Sequence, residues 1–510
     1  MRHRASYLAV GLALVALGCK GHPIDPDFPG TGNPVPGSPP ALALRLGGTG
    51  ADQIADIAVL SGGDVIVAGT FEGSVDFDPG TGVSALTSLG ATDLYVARFT
   101  ATGGLVWVVR LGGTGAETVA TLAGGGAGNI VVGGTFEGAA DFDPGPGTAP
   151  LASTGGRDAY VAALTPNGTL LWARRFGGST DDDLADLAVD AAGNVYAAGA
   201  FAGSADATPA AGAAIVSDGA QADGFALSFD ALGQVRWAFP IGGPDLDAAT
   251  AVAVLASQHI VVGGTFRGTA DFLPGPTASS LTAFGGGDTF LASYTAAAAL
   301  RWARALGGAA EDSLARGGLA PGADGSVTAT GLFSGTIDLD GGAGTANRTS
   351  FSGTVDWFAA RYAGDGSFVS GFAIGGDGED FAPVLTVDGD GSMVVAGAFR
   401  GAVDFDPGTG VQTVTALNAS GGTDIFVARY ASAGGFLSVS RFGDAAGTAE
   451  GLNAPLAVRF DGAGKMLVAG RFSGGPDVDP GTAVYRLTSL GLSDGFLVKL
   501  DASGALELTP

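Results

Sequence analysis

The chain has 510 residues, a net charge of −26 and three histidines, at positions 3, 22 and 259. Two of the three precede the predicted folded region, which excludes a histidine-based catalytic triad and a multi-histidine metal site. The acidic charge argues against nucleic acid and anionic lipid as partners. No glycine-rich phosphate loop follows a strand and opens a helix, so the common nucleotide site is excluded as well.

The N-terminal segment predicts export and lipid attachment. Arg2 and Arg4 precede an apolar run from Tyr7 to Gly18, which is typical of a secretory signal and shorter than the roughly 20 residues of a membrane-spanning helix. Residues 1–18 are therefore predicted to be a signal peptide. The sequence around Cys19, the only cysteine, is similar to a bacterial lipobox and predicts acylation of Cys19. Ordinary signal cleavage with an incidental Cys19 is the alternative.

Residues 19–40 are rich in proline and glycine. This composition predicts an extended tether that holds a folded domain away from a membrane. Lys20 follows Cys19 where an aspartate would favour retention in the inner membrane of some bacteria. We therefore expect an outer-membrane lipoprotein that contacts the membrane through its lipid anchor only.

A repeat of about 65 residues fills the chain from residue 41 to residue 510. Its clearest markers are a tryptophan and, a few residues later, a glycine pair. The tryptophans are Trp107, Trp172, Trp237 and Trp302. The seven units begin at Gly47, Gly112, Gly177, Gly242, Gly307, Gly375 and Gly443. Self-similarity at such a spacing indicates copies of one supersecondary unit.

Unit one predicts four strands, at residues 54–60, 65–71, 94–99 and 105–111, with a hairpin over residues 72–90. Four short strands per unit, seven units and no amphipathic helix predict an all-β, seven-bladed β-propeller over residues 41–510. A solenoid is the main alternative. Residues 41–46 repeat the tryptophan-bearing strand and can close the ring. Residues 505–508 compete for the same place, and we favour the N-terminal strand.

Several short motifs carry a family resemblance: Gly193–Tyr196 (GNVY), Asp424–Ala428 (DIFVA) and Trp172–Arg174 (WAR). Together with the glycine pairs, they resemble the bacterial SBBP β-propeller repeats over about Leu42 to Leu508. The resemblance implies a propeller on an exported protein of a Gram-negative bacterium. It brings no defined catalytic residues.

Acidic residues recur at three positions of the unit. The first lies in the turn after the glycine pair: Asp52, Glu117, Asp182, Asp247, Asp312, Asp380 and Glu450. The second lies in the hairpin: Asp76, Asp141, Asp206, Asp271, Asp338, Asp404 and Asp477. The third opens the third strand: Asp93, Asp158, Asp223, Asp288, Asp356, Asp424 and Asp494. Aspartate beside glycine and proline accepts backbone N–H groups at turns, which predicts a structural role.

The hairpin also predicts weak calcium sites, because two carboxylates stand two residues apart before a glycine turn. The five candidate pairs are Asp76 with Asp78, Asp141 with Asp143, Asp338 with Asp340, Asp404 with Asp406, and Asp477 with Asp479. Units three and four carry Thr208 and Leu273 at the second position. Backbone capping is the alternative interpretation of the five pairs.

The sequence predicts a non-catalytic, monomeric scaffold that presents its propeller to a protein or polysaccharide partner. Repetition supports this prediction, because a glycosidase needs one asymmetric carboxylate pair and not seven copies. An extracellular carbohydrate-active enzyme, a hydrolase or lyase, is the alternative. The tryptophans, and the phenylalanines at Gly-x-Phe, are predicted to pack between and within blades. For the tryptophans, an aromatic platform that stacks on sugars is the alternative.

Overall fold

The computed structural model describes residues 42–125, 128–207, 214–219, 221–273, 278–417, 422–443 and 454–507. The predicted signal peptide, Cys19 and the tether over residues 19–40 lie outside the described residues, as do Thr208 and Glu450. Within the described ranges the ordered structure is β-strand. The described residues contain no helix that is long and apolar enough to cross a membrane.

The strands follow the repeat. One strand, β1 (Ala43–Leu46), precedes it. Repeat one contains β2 (Gln53–Val59), β3 (Val65–Phe71), β4 (Ser74–Asp76), β5 (Ala85–Thr87), β6 (Asp93–Phe99) and β7 (Leu105–Gly113). Repeat two contains β8 (Thr121–Gly124), β9 (Ile130–Asp141), β10 (Pro150–Leu164) and β11 (Leu170–Gly178). Repeat three contains β12 (Asp183–Val189), β13 (Val195–Phe201), β14 (Ser204–Asp206), β15 (Ala214–Val216), β16 (Asp223–Phe229) and β17 (Val235–Ile241).

The same order continues through the second half of the chain. Repeat four contains β18 (Ala248–Val254), β19 (Ile260–Asp271), β20 (Ser280–Tyr294) and β21 (Leu300–Gly308). Repeat five contains β22 (Asp312–Pro321), β23 (Val327–Phe333), β24 (Thr336–Asp338), β25 (Asn347–Thr349), β26 (Asp356–Tyr362) and β27 (Phe368–Gly376). Repeat six contains β28 (Asp380–Val387), β29 (Met393–Phe399), β30 (Ala402–Asp404), β31 (Thr413–Thr415), β32 (Asp424–Tyr430) and β33 (Phe436–Phe442). Repeat seven contains β34 (Ala454–Phe460), β35 (Met466–Phe472) and β36 (Asp494–Leu500).

The arrangement is that of an all-β propeller, as predicted, but the predicted number of seven four-stranded blades is wrong, because five separate sheets form blades of four or six strands. One further ten-stranded sheet joins repeats one and two and includes the β14–β15 hairpin of repeat three, and β4 and β5 form a two-stranded sheet of their own. The fusion arises because the glycine pair that ends one repeat bonds to the hairpin of the next, as in the pairing of Gly112 with Asp141. In repeat two this hairpin continues directly from β9 and β10.

The first strands of the repeats form a closed circuit. Each contacts the first strand of the next repeat, and β2 contacts β34 of the last repeat. This contact between the ends of the array rules out an open solenoid.

The N-terminal strand completes the sheet of repeat seven, so the prediction for ring closure is confirmed. β1 pairs antiparallel with β36, with Ala43 opposite Val498 and Leu46 opposite Gly495. The C-terminal candidate takes a smaller part, since Leu506 makes one bridge to Leu500. β1 and the segment around Leu506 therefore cover the same edge of β36.

The repeated aromatic side chains hold the core. The Gly-x-Phe residues are at most 1% exposed, which confirms their core assignment: Phe71, Phe136, Phe201, Phe266, Phe333, Phe399 and Phe472.

The tryptophans link neighbouring repeats. Trp172 is 7% exposed, and its Nε1 donates to the carbonyl of Ala231 in the next repeat at 3.1 Å. Trp107, Trp237 and Trp302 make the equivalent bond. These contacts agree with the predicted packing between repeats.

Candidate functional site

The first acid of each hairpin pair organises its own turn. Oδ1 of Asp76 accepts the amides of Asp78 at 3.1 Å and Ser84 at 2.8 Å. The same two bonds recur at Asp141, Asp338, Asp404 and Asp477. These carboxylates bridge the two arms of the hairpin.

The second acid of the pair caps the turn that follows it. Oδ1 of Asp78 accepts the amide of Gly80 at 2.8 Å. Asp143, Asp340, Asp406 and Asp479 accept the equivalent glycine amide. The turn of repeat four forms without a second acid, because Asp271 accepts the amides of Leu273 and Ser279. Capping therefore explains the first acid without a metal.

Within the described residues, no group of three or more Asp, Glu, His or Cys side chains is placed to hold a metal ion. A hairpin pair would need backbone carbonyls and water to complete the six to eight oxygen ligands of calcium. Calcium at the five predicted pairs remains a prediction.

A different set of acids meets where consecutive repeats join, a place we call a junction. The turn acid of one repeat accepts an amide from its glycine pair: Oδ2 of Asp182 binds the Gly178 N–H at 2.7 Å. The third-strand acid of the preceding repeat accepts a loop amide, as Asp158 does from Thr154 at 3.1 Å. Both acids are at most 1% exposed.

The first glycine of the pair brings the two acids together. A Cβ atom on Gly177 would lie 2.6 Å from Cγ of Asp158 and 2.8 Å from Oδ2 of Asp182. A Cβ atom on Gly242 would meet the next pair, Asp223 and Asp247, in the same way. Only glycine leaves room for both carboxyl groups. The described pairs are Asp494 with Asp52, Asp93 with Glu117, Asp158 with Asp182, Asp223 with Asp247, Asp288 with Asp312, and Asp356 with Asp380.

Four junction positions on the fourth strand carry an arginine that binds the third-strand acid. The ion pairs are Arg45 with Asp494 at 2.8 Å, Arg110 with Asp93 at 3.2 Å, Arg175 with Asp158 at 2.5 Å and Arg441 with Asp424 at 3.9 Å. The same register position holds Pro240, Ala305 and Ala373 in repeats three, four and five. Three junctions therefore have two buried acids and no arginine at this position.

Burial raises the pKa of the turn acids. The pKa is raised to about 7 for Glu117, Asp182, Asp247 and Asp312, and to about 8 for Asp380. Loss of water around the charged form is the main cause, and the charge of the partner acid adds to it. Sequence reasoning treated the two positions as separate turn caps, because the partners come from different repeats.

One end of the propeller exposes apolar side chains in the loop before the third strand. We call Leu89, Phe284, Phe351, Leu417 and Leu490 the apolar loop residues. They are 37–64% exposed. Each donates its amide to the third-strand acid of its own repeat. Thr154 and Asp218 take this place in repeats two and three.

The first strands carry a second polar network, which includes Arg316. Asp56 accepts the amide of Leu122 in the next repeat at 2.8 Å and pairs with Arg459 of repeat seven at 2.7 Å. Arg316 stands in a bulge of β22 and forms an ion pair with Asp183 of repeat three. These contacts connect first strands of different repeats, which is a structural role.

Comparisons with known proteins give limited information. No family model matches the chain. A stretch of 152 residues is 32% identical to "Regulatory protein FlaEY" of Caulobacter vibrioides, covering 29% of this chain and 15% of that protein. The chain thus matches only a small part of that protein's length. The SBBP resemblance and the lipid attachment remain predictions.

One solved structure, of a protein of unknown function from Bacteroides caccae, is 12% identical. It has a TM-score of 0.24 and covers 54% of this chain and 88% of that one. A TM-score of this size supports no structural argument. The propeller-like, all-β arrangement of repeats therefore rests on the strand pairing of this chain itself.

Proposed function

We propose that this chain is a non-catalytic lipoprotein of the cell envelope whose propeller binds a protein partner through the apolar loop residues. The observation that carries the proposal is their recurrence: five repeats present an exposed Leu or Phe at one position, on one end of the propeller. A buried aspartate fixes the backbone at each of them. Exposed apolar positions arranged together are typical of protein interaction sites.

The chemistry of this end favours a protein over a polysaccharide. Three of the five side chains are leucines, which offer no flat ring for a sugar to stack on. The repeated tryptophans bond and pack between repeats, so their rings serve the junctions. A polysaccharide partner would instead need a polar groove, such as the one lined by Thr413, Arg441 and Ser503.

A non-catalytic role fits the use made of the repeated acids. The hairpin acids accept turn amides, and the junction acids accept loop amides or arginine. One partial relative is named a regulatory protein, which is compatible with a binding function. Turnover of a polysaccharide by the purified protein would contradict this part of the proposal.

Site-specific photo-crosslinking in the native bacterium tests the binding end. A photoreactive amino acid replaces Phe284, and a matched variant carries it at Leu232. Leu232 is 73% exposed and lies in the turn after β16, at the end of that strand away from Asp223. We expect one discrete protein adduct from position 284 and none from position 232. Adducts of equal yield at both positions, or none at 284, would contradict the proposal.

The lipid attachment and the cellular location are proposed on the basis of the sequence alone. Acylation of Cys19 and an outer-membrane location are tested by labelling cells with a clickable fatty acid and separating the membranes. The wild type should carry label in the outer-membrane fraction, and the Cys19→Ser variant should carry none. Label retained by Cys19→Ser would show that acylation occurs elsewhere.

A further inference from the structure

The six described junctions fall into two electrostatic classes. Where the fourth strand offers Arg45, Arg110 or Arg175, one positive charge accompanies two buried acids. Where it offers Pro240, Ala305 or Ala373, none does at that position. The two classes share strand order, register and glycine pair, so the arginine is the main chemical difference.

The groups facing the turn acids at the arginine-free junctions are themselves acidic. They are Asp223 and Asp245 for Asp247, Asp288 and Glu311 for Asp312, and Asp356 for Asp380. Glu311 is held by Arg267 at 2.6 Å, and Asp223 also faces Asp218. Two ionised carboxylates side by side and shielded from water are strongly unfavourable.

The hydrogen bonding of these acids is also incomplete. Asp380 is 1% exposed, and neither of its carboxyl oxygens has a hydrogen-bond partner. Both oxygens of Asp312, and Oδ1 of Asp223 and Asp288, are in the same condition. The amides of Gly308 and Ser334 face Asp312 without reaching hydrogen-bond geometry. A buried polar atom left without a partner destabilises the folded state, so these oxygens require an explanation.

We propose that the two carboxyl groups at each arginine-free junction share one proton, and that loss of this proton as pH rises loosens the ring there. A protonated acid donates its O–H to the partner carboxylate. The bond gives a partner to at least one orphaned oxygen at each of these junctions, and to one on each acid at the junction of Asp288 with Asp312. It also removes one of two negative charges. A bound cation explains the pair less well, because the described residues contain no group of three or more Asp, Glu, His or Cys side chains placed to hold a metal ion.

The pKa directions agree with this geometry. The pKa of Asp380 is raised to about 8 and that of Asp356 to about 6, in both cases mainly by burial. A raised folded-state pKa means that the stabilisation is complete below pH 4, where the unfolded acid is also protonated. It is then lost as pH rises through about 7 to 8.

The junctions that carry arginine differ from the arginine-free junctions once the turn acid has lost its proton. The pKa of Asp182 is also raised to about 7. Burial is the main cause of this increase, and the positive charge of Arg175 acts in the opposite direction. When Asp182 ionises, Arg175 remains to offset the negative charge of the pair. These junctions should therefore tolerate alkaline conditions that open the others.

Thermal unfolding of the full chain between pH 5 and pH 9 tests the proposal. The wild type should lose melting temperature as pH rises. Asp380→Asn keeps the shape, donates an N–H to Asp356 and cannot ionise, so it should reduce the loss. Glu137→Gln, at an exposed acid, is the matched control and should follow the wild type. The proposal would be overturned if the melting temperature of the wild type did not decrease between pH 5 and pH 9. It would also be overturned if Asp380→Asn lost as much melting temperature as the wild type.

Further experiments distinguish a shared proton from a folding defect and from a bound cation. Ala373→Arg places a charge at the register of Arg175 and Arg441 and should raise the melting temperature at pH 9 more than at pH 5. The infrared band of protonated carboxyl groups should be present at pH 6 and smaller in Asp380→Asn. Calcium that restores the melting temperature at pH 9, with EDTA reversing it, would overturn the shared proton in favour of a cation.

Discussion

The junctions after repeat two and after repeat five show two ways to hold the same strands together. After repeat two, Trp172 bonds the Ala231 carbonyl and Arg175 pairs with Asp158. After repeat five, Ser370 and Ala373 take those two register positions. There, Trp357 of the third strand stacks on Phe426 of the next repeat, with ring centroids 5.6 Å apart and planes at 13°.

The difference shows which parts of the repeat are exchangeable. The stacked rings can replace the hydrogen-bonded tryptophan, because the side chains in both arrangements bury apolar area between neighbouring sheets. They cannot replace the arginine, because an aromatic ring adds no charge beside the buried acids. The comparison therefore predicts junctions of similar packing but different electrostatic stability.

Deleting residues 41–46 should have the largest effect. It removes β1, the cover of β36 and the Arg45 ion pair in one step. We expect a large loss of melting temperature and aggregation through the exposed strand edge. Truncation after Leu500 is the matched control and should cost less, because every strand of the sheet stays in place. It removes the bridge to Leu506, the ion pairs of Glu507 and the hydrogen bond from Ser440 to Gly504. An unchanged melting curve for the deletion would indicate that the C-terminal segment, and not β1, closes the ring.

Trp172→Ala should have the next largest effect. The side chain is nearly buried and links two repeats, so the expected loss in the free energy of unfolding is about 3–5 kcal/mol. Ser370→Ala, at the same register, should change it by less than about 0.5 kcal/mol. Chemical denaturation measures both variants. Equal losses would remove the distinction between the two junctions.

Arg175→Ala should cost less than Trp172→Ala but should add a pH dependence. It leaves Asp158, with a fully buried side chain, beside Asp182 without a cation. We expect a loss of about 3 kcal/mol at neutral pH. The loss should be smaller at pH 5, where the raised pKa of Asp182 keeps that acid protonated. A loss independent of pH would indicate that Arg175 acts through packing.

Calcium should have the smallest effect per site. Sites with dissociation constants near 10⁻⁴ to 10⁻³ M would stabilise the protein by about 1–3 kcal/mol per site at 10 mM calcium. Melting in EDTA and in calcium, for the wild type and for Asp406→Asn, measures this shift. An identical melting temperature in the two buffers would leave capping as the whole role of the hairpin acids.

The sequence predicted the features that depend on one repeat at a time. The four strands of repeat one, the closing strand and the buried Phe71 set were confirmed, because each leaves a periodic pattern. The pairing of Asp356 with Asp380 was missed, since it requires two repeats and a glycine between them. The fused ten-stranded sheet was missed because it depends on whether a hairpin continues straight from its strands. Exposure of Leu490 and its counterparts follows from loop geometry, which hydrophobicity alone does not indicate.

Native-state hydrogen exchange at pH 6 and pH 9, corrected for intrinsic rates, tests the central comparison most directly. It reports the stability of each junction separately, through amides such as those of Asp182 and Asp380. We predict that the Asp380 amide, bonded to the carbonyl of Val355, loses protection at pH 9 while the Asp182 amide, bonded to Arg157, keeps it. Equal protection of both amides at pH 9 would contradict the account.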